Sequence, residues 1–183
     1  IAELAEGRPT DIRTGYDASP GALQSDAFRR AQIIHIAAHG FVNDDISAKT
    51  GLAFSMLDED GENAVGFVGL REINQLTLDA ELVVLSACDT ALGRNLAGEG
   101  LLGLTRGFMV AGANRVVASL WQVEDRATAE LMEHFYRALL LDKMTPAAAL
   151  VHAKNEMRKK RQWRHPYYWS GIVLMGDWRG LST

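Results

Sequence analysis

Residues 82–90 read LVVLSACDT, an apolar run that ends on Cys88, the single cysteine of this 183-residue chain. A near-continuous run of aliphatic residues is typical of a central parallel strand that is buried on both faces. Residues 33–40, IIHIAAHG, follow the same pattern and end on His39 and Gly40. Because functional groups of parallel α/β sheets gather at the carboxyl ends of the strands, we expect His39 and Cys88 to lie close together.

The remaining sequence alternates strand-like and helix-like segments. Apolar runs predict further strands at 52–56, 116–120 and 172–175, and helical spacing predicts helices at 21–31, 70–76, 98–111, 125–141 and 145–161. This alternation predicts an α/β layered fold with a mostly parallel central sheet flanked by helices. Residues 1–20 show no sustained period, and we expect a linker or edge segment there, with one edge strand near 12–16. Residues 21–183 then form a single domain.

Composition excludes several classes of protein. Apolar residues make up 48% of the chain, and no apolar run approaches the roughly 20 residues that a membrane-spanning helix needs. A net charge of −4 does not favour nucleic acid as a partner. One cysteine excludes an intramolecular disulfide and a cysteine-rich zinc site and suits a reducing cytoplasm. His134, His152 and His165 show no metal-ligand spacing, so no metal is implied, and no cofactor is implied either. Because the sequence begins with Ile1 and shows no signal-like segment, we expect a piece of a longer protein.

A cysteine and a histidine at the ends of two strands suggest a nucleophile and its base. The thiolate is the reactive form of cysteine, and a nearby imidazole favours it and later protonates the leaving amine. Gly40 lets a substrate backbone approach closely, and its amide and that of Cys88 are candidate donors to an oxyanion. The ordinary alternative is that Cys88 is a small buried hydrophobic residue. The residues alone support a cysteine peptidase and leave a structural Cys88 open.

Four motifs lie along the chain: IIHIAAHG (33–40), LVVLSACDTALG (82–93), GEGLLGLTRGFMVAGANRVVASLWQVED (98–125) and YYWSGIVLMGDW (167–178). Together, from about Asp11 to the end, they resemble the CHAT domain, a caspase-like, separase-related family. The resemblance implies a caspase-like layered fold and cysteine endopeptidase activity on protein substrates, with His39 and Cys88 as the catalytic dyad. It also implies a regulatory neighbour in the full-length protein, often a helical-repeat region of the tetratricopeptide type. Because caspases carry QAC-x-G where residues 86–90 read SACDT, cleavage after aspartate is not implied.

Two acidic residues are candidate substrate contacts. Residues 120–125, LWQVED, resemble the separase segment LWDVTD, whose acidic residue lines the pocket for a basic residue before the scissile bond, and Asp125 matches its last position. The alternative role for Asp125 is the N-cap of the helix predicted to begin there. Asp89 follows the nucleophile and either contacts substrate or tunes the thiol, but a carboxylate at that position opposes thiolate formation. A structural hydrogen-bonding role is therefore favoured for Asp89.

Two other functions compete with a peptidase. Residues 98–103, GEGLLG, fit the G-x-G-x-x-G pattern of dinucleotide-binding domains, and Glu124 follows where a ribose-binding acid is expected. Residues 88–97, however, separate this pattern from the preceding strand, whereas a phosphate cradle requires the first glycine directly after the strand. The other alternative is a non-catalytic interaction module in signalling that keeps the caspase-like fold. His35 lies in mid-strand, where the expected role is that of a hydrogen-bonded core histidine.

Overall fold

A computed structural model describes residues 2–5, 7–41, 50–86 and 99–181, except for the side chains of residues 99–101. The strands are β1 (Ile33–Ile36), β2 (His39–Phe41), β3 (Gly51–Ala53), β4 (Phe67–Gly69), β5 (Leu82–Leu85), β6 (Arg115–Ser119) and β7 (Ile172–Gly176). The α-helices are α1 (Asp26–Arg29), α2 (Leu70–Asn74), α3 (Glu99–Val110), α4 (Asp125–Tyr136) and α5 (Pro146–Lys159). A π-helical turn, Arg137–Leu141, continues α4, and 3₁₀ segments lie at Ala2–Ala5, Gly15–Asp17, Pro20–Gln24 and Pro166–Tyr168.

The central sheet has the strand order β1-β5-β6-β7. β1, β5 and β6 run parallel, and β7 pairs antiparallel with β6. All four residues of β5 are buried, because this strand has a neighbouring strand on each side and packed side chains on each face. The predicted α/β architecture with a mostly parallel central sheet is confirmed, and the apolar runs that predicted β1, β5, β6 and β7 are its strands.

Side-chain alternation along the strands divides the interior into two cores. In β5, Val83 and Leu85 belong to the first core, which also contains Leu104 and Phe108 of α3. Residues 82 and 84 belong to the second core, whose other wall is formed by α4, the π-helical turn and α5. Successive strand residues point to opposite faces, so one apolar run supplies both cores. Helices therefore cover both faces of the sheet, as the parallel strands require.

The helix over 145–161 begins as predicted. Thr145 is the N-cap of α5, and its Oγ1 accepts a hydrogen bond from the Ala148 amide at 3.2 Å. Pro146 is the first helical residue, a position where its missing N–H costs no hydrogen bond. The buried residues of α5 complete the second core against α4.

A second, smaller sheet is formed by the chain between β1 and β5. Its strands are antiparallel in the order β2-β3-β4, and each is three residues long. In the turn after β3, Asp58 Oδ1 accepts hydrogen bonds from the amides of Asp60 (3.1 Å) and Glu62 (2.8 Å), and Gly61 has a φ of +77°. The sequence DEDG at 58–61 predicts this turn, and the apolar run at 52–56 predicts one strand near β3. The sequence does not predict the sheet, because three-residue strands are too short to show a period.

The N-terminal region differs from the prediction. No strand forms at 12–16, because Gly15 has a φ of +57°, a left-handed conformation that interrupts extended backbone, and begins a 3₁₀ turn. The helix predicted at 21–31 is divided into a 3₁₀ segment and the four-residue α1. Ser25 divides it, because its backbone is extended and its Oγ accepts the Phe28 amide at 3.2 Å, which caps α1. The edge strand is thus wrong, and the helix is confirmed only in part.

Candidate active site

His39 lies where the two sheets meet. The sequence predicts it at the end of β1, but β1 ends at Ile36, and His39 is instead the first residue of β2. There it pairs with Ala53 of β3. Its side chain is exposed. The imidazole is therefore held by a paired strand, just beyond the carboxyl end of β1, and remains accessible to a ligand.

Cys88 and Asp89 lie outside the described residues, which stop at Ser86 on this side of the gap. The strand before them, β5, is the direct neighbour of β1 and runs parallel to it, with Ile36 opposite Leu85. The ladder continues one step further, because the Ser86 amide donates a hydrogen bond to the Ile36 carbonyl at 3.0 Å. The strands that lead to His39 and Cys88 are therefore neighbours, and their carboxyl ends lie side by side.

The amide of Gly40 points away from β3. The Phe54 amide donates to the Gly66 carbonyl at 2.8 Å, and hydrogen-bonded residues alternate along an antiparallel ladder, so Leu52 also bonds toward β4. Gly40 lies opposite Leu52 and so forms a non-hydrogen-bonded pair with it. The N–H and C=O of Gly40 are directed to the outer edge of β2. Gly40 is itself buried, so a group bound to its amide would lie within this covered edge, beside His39.

His35 is a hydrogen-bonded core histidine, as predicted. Its Nδ1 lies 2.9 Å from Tyr136 Oη, and its Nε2 lies 2.9 Å from Ser86 Oγ. Burial lowers the pKa of His35 to about 4 and raises the pKa of Tyr136, so both groups are neutral at pH 7. These bonds tie the adjoining ends of β1 and β5 to α4. The role of His35 is therefore structural, and His39 is the accessible imidazole.

Asp125 is the first residue of α4, and it is exposed. The alternative role as N-cap is wrong, because Glu124 is the N-cap and its side chain makes no capping hydrogen bond. The reason is conformational: Glu124 has the non-helical ψ of 132° that a cap residue adopts, whereas Asp125 is already helical. A carboxylate in the first helical turn is still stabilised by the helix dipole. Because α4 follows β6, Asp125 lies at the same edge of the central sheet as His39.

An aromatic pair, Trp121 and Tyr167, holds the segment that leads from β6 to Asp125. The sequence does not predict this contact. The rings of Trp121 and Tyr167 are stacked with centroids 6.3 Å apart. Trp121 Nε1 donates to the Tyr167 carbonyl at 2.9 Å, and Tyr167 Oη donates to the Gln122 carbonyl at 2.7 Å. A Cβ on Gly171 would lie 2.5 Å from the Trp121 ring, so this glycine seats the indole. The LWQVED and YYWSG motifs are thus the two halves of one contact.

The glycine pattern at 98–103 lies too far from β5 to form a phosphate cradle, since residues 86–98 separate the strand from α3. A Cβ on Gly103 would meet Leu70 at 3.4 Å, and one on Gly107 would meet Ile73 at 3.1 Å. These two glycines allow α3 to approach α2 closely. Their role in the described structure is helix packing.

Six basic residues cluster near the end of α5: Lys154, Arg158, Lys159, Lys160, Arg161 and Arg164. Some of them have intramolecular partners. Lys160 pairs with Glu130, which also accepts a hydrogen bond from Trp163 Nε1 at 2.6 Å. Lys159 pairs with Glu156 at 2.5 Å. Trp163 is buried and packs against Tyr168, with ring centroids 5.1 Å apart. These contacts account for part of the cluster without a nucleic acid.

Within the described ranges, no group of three His, Cys, Asp or Glu side chains converges as a metal site requires. None of the helices in those ranges is long and apolar enough to cross a bilayer. The described part of the candidate site consists of three groups at the carboxyl edge of the central sheet: the His39 side chain, the Asp125 side chain and the Gly40 amide.

Comparison with known proteins identifies the family. The model of the CHAT domain matches residues 1–177. Over 106 residues the chain is 35% identical to tetratricopeptide repeat protein 28 of Mus musculus and 32% identical to the protein of that name from Homo sapiens. Each match covers 58% of this chain and 4% of the relative, so the chain spans a small part of the curated relatives' length. This chain belongs to the CHAT domain family.

Proposed function

We propose that this chain is the peptidase domain of a caspase-like, separase-related cysteine endopeptidase, with Cys88 as the nucleophile and His39 as the general acid and base. The observation that supports the pair most is the register of the central sheet. Ile36 lies opposite Leu85, and Cys88 follows Leu85 by as many residues as His39 follows Ile36. Both strands therefore end at the same edge of the central sheet, three residues before His39 and three residues before Cys88, and these short distances along the chain support an encounter of the two side chains.

The chemistry divides peptide hydrolysis into two transfers. The Cys88 thiolate attacks the carbonyl carbon of the scissile bond, while His39 holds the proton that left the thiol. As the C–N bond breaks, His39 gives this proton to the leaving amine, and a thioester remains on Cys88. Water then attacks the thioester with His39 as its base, the carboxylic acid product leaves, and the proton returns to the sulfur.

Backbone amides are the proposed donors to the oxyanion that forms in each transfer. The amide of Cys88 is one of them, and the amide of Gly40 is the other. The direction of the Gly40 N–H, away from β3, supports its assignment, because a β2 amide bonded to β3 would already have its acceptor. Preorganised N–H donors of this kind stabilise the charge that develops in the transition state.

We also propose that Asp125 binds a basic residue before the scissile bond. The exposed carboxylate of Asp125 at the carboxyl edge of the sheet supports this assignment. A carboxylate recognises an arginine through paired charge-assisted hydrogen bonds, which give both energy and orientation. The matched substrate is therefore a protein segment with Lys or Arg at the cleavage point.

The wider setting is part of the same proposal. Residues 21–183 are the peptidase domain of a longer, cytoplasmic protein, and residues 1–20 precede it, with Leu4 and Ala5 packed against the second core. The relatives are named for tetratricopeptide repeats, which supports a repeat region elsewhere in the full-length protein. Such a region is the proposed regulator of the peptidase.

The test is cleavage-site profiling of a proteome-derived peptide library with the full-length protein. We expect Cys88→Ala to abolish cleavage and His39→Ala to reduce its rate about 10²–10⁴-fold, the usual contribution of a general base. Cut sites should carry Lys or Arg before the scissile bond. Asp125→Asn should weaken this preference, whereas Asp142→Asn, an exposed aspartate beyond the π-helical turn, should not. Undiminished proteolysis by Cys88→Ala would overturn the proposed function.

A non-catalytic interaction module is the second candidate function. It is favoured by relatives that are named for their repeats rather than for an enzyme activity. Reaction with an iodoacetamide probe near pH 7 separates the two candidates, because a catalytic thiolate is alkylated quickly and a buried thiol is not. An unreactive Cys88 in the full-length protein points to the interaction module.

A further inference from the structure

The hairpin that contains β3 and β4 is longer than its named strands. The Ala64 amide donates to the Met56 carbonyl at 2.8 Å, and Leu57 and Asn63 form a further antiparallel bridge. These contacts keep the register of β3 with β4. Residues 50–57 and 63–70 therefore form one continuous antiparallel pair that closes at the turn after Asp58.

One face of this hairpin packs on the protein and the other does not. Leu52 and Val68 point inward and belong to the first core. The opposite face carries Leu57, Val65 and Phe67, whose exposed fractions are 41%, 85% and 37%, with Ser55 opposite Val65 and Asn63 opposite Leu57. An antiparallel sheet with one covered face normally has polar residues on its other face. Exposed apolar patches that break this rule mark binding sites.

This outer apolar face, made of Leu57, Val65, Phe67 and Phe41, is continuous with His39. Residues that are paired across strands share a face of the sheet, so His39, Ala53 and Phe67 form one row. The Phe41 and Phe67 rings are in edge contact with centroids 6.3 Å apart. Two strand spacings separate β2 from β4, about 10 Å, which an extended peptide covers in about three residues.

The direction of the Gly40 amide indicates which part of a bound substrate would lie over the row of His39, Ala53 and Phe67. It points to the outer edge of β2, whereas the row from His39 to Phe67 runs the opposite way, across β3 to β4. If Gly40 holds the oxyanion, the carbonyl carbon lies off that outer edge and the leaving amine lies at His39. The substrate residues beyond the leaving nitrogen then continue over the row.

We propose that the outer apolar face binds apolar side chains of the substrate within the first three residues after the scissile bond. This inference rests on the proposed function and adds a substrate class to it. The hairpin turn that borders the face carries Asp58, Glu59, Asp60 and Glu62. Those carboxylates disfavour an acidic segment there, so the matched substrate is apolar after the cut and free of acidic residues nearby.

The experiment compares two exposed valines in the full-length protein. Val65 lies on the outer apolar face, and Val151, which is 59% exposed, lies on α5 and serves as the matched control. Cut sites of the wild type should be enriched in Leu, Ile, Val, Met or Phe at the first three positions after the cut. Two values of kcat/KM are compared. The first is for a peptide made from the commonest cut site, and the second is for a substrate in which a dye amide replaces all residues after the cut. Val65→Asp should lower the ratio of the first to the second about tenfold, since burial of one valine carries an effect of that size, and Val151→Asp should leave this ratio unchanged.

Each outcome decides between the two proposals. Cysteine-dependent cleavage without apolar enrichment, or equal ratios for Val65→Asp and Val151→Asp, overturns the outer apolar face as a substrate site and leaves the peptidase standing. Loss of a wild-type dimer in Val65→Asp, seen by sedimentation, also overturns it and assigns the face to a second copy. Absence of any cleavage that depends on Cys88 overturns the peptidase itself, and the substrate site with it.

Discussion

His35 shows how neighbouring groups set the charge of a single residue. Ser86 Oγ donates to the Ile36 carbonyl at 3.4 Å, so it accepts from His35 Nε2–H, and Tyr136 Oη–H then donates to Nδ1. This chain of donors requires a neutral imidazole. The sequence predicts a satisfied core histidine from its mid-strand position. It does not identify Tyr136, because that partner lies on α4, far along the chain.

We expect the stability of the protein to fall in acid because of His35. Burial lowers its pKa to about 4 in the folded state, from an ordinary value of 6.5. Between these values the unfolded chain binds more protons than the folded one, so the free energy of unfolding decreases as the pH falls from 6.5 to 4. The loss from this residue is about 3 kcal/mol. Urea unfolding at a series of pH values measures it.

The variant that isolates the effect is His35→Gln, whose amide keeps hydrogen-bonding groups but does not titrate in this range. Its unfolding free energy should lack the extra acid loss. His152→Gln, on α5, leaves the His35 contacts intact and should retain it. Parallel pH profiles for the wild type and His35→Gln would contradict the assignment.

At the scale of elements, long apolar runs were predictable and short pairings were not. β5 and β6 are buried along their whole length, and a continuous apolar run reports such burial directly. β2, with only three residues, is defined by its pairing to β3 rather than by any local pattern. The N-cap of α4 also escaped prediction, because Glu124 is a poor capping residue by type and is placed there by the loop after β6.

The connection between α3 and β6 depends on Gly112. Its φ is +120°, and a Cβ there would lie 2.1 Å from the Leu78 carbonyl oxygen. We expect Gly112→Ala to lower the free energy of unfolding by about 2–3 kcal/mol, because backbone strain and a backbone clash add together. Gly61→Ala meets an unfavourable φ of +77° but no atom within 4 Å and should cost about 1 kcal/mol. Gly180→Ala meets neither and should change stability by less than about 0.5 kcal/mol.

These three glycine variants are compared by urea unfolding. Equal losses for Gly112→Ala and Gly61→Ala would show that the contact with Leu78 contributes nothing beyond the backbone angle. If Gly180→Ala lowered the free energy of unfolding as much as either of the other two variants, the stability losses would not follow the backbone angle and the space at each glycine.

For the whole molecule, Arg115 joins three distant parts of the chain. Its side chain is 2% exposed, and its Nη2 lies 3.2 Å from Oε2 of Glu81, the residue that immediately precedes β5. Its Nη1 donates to the Arg179 carbonyl in the C-terminal segment at 3.0 Å. A buried guanidinium with these partners closes the amino-terminal edge of the central sheet, opposite the candidate site.

We expect Arg115→Ala to lower the free energy of unfolding by about 3–5 kcal/mol, because it removes one partner of a buried ion pair with Glu81 and the donor to the Arg179 carbonyl. The matched control is Arg179→Ala. The Arg179 side chain is 74% exposed, and only its carbonyl serves Arg115, so this variant should have a much smaller effect. Chemical denaturation of both variants measures the difference. Similar losses would contradict a special role for the buried arginine.

The sequence by itself determined the fold class and the strands of the central sheet, because apolar runs and helical spacing are local patterns. It also determined the family, through four motifs in one order. Only the tertiary structure decided that His39 belongs to a second sheet, that the Gly40 amide faces outward, and that Val65 and Phe67 share a face with the imidazole. Those facts depend on pairings between strands, and a pairing register is set by contacts between residues that are distant in sequence.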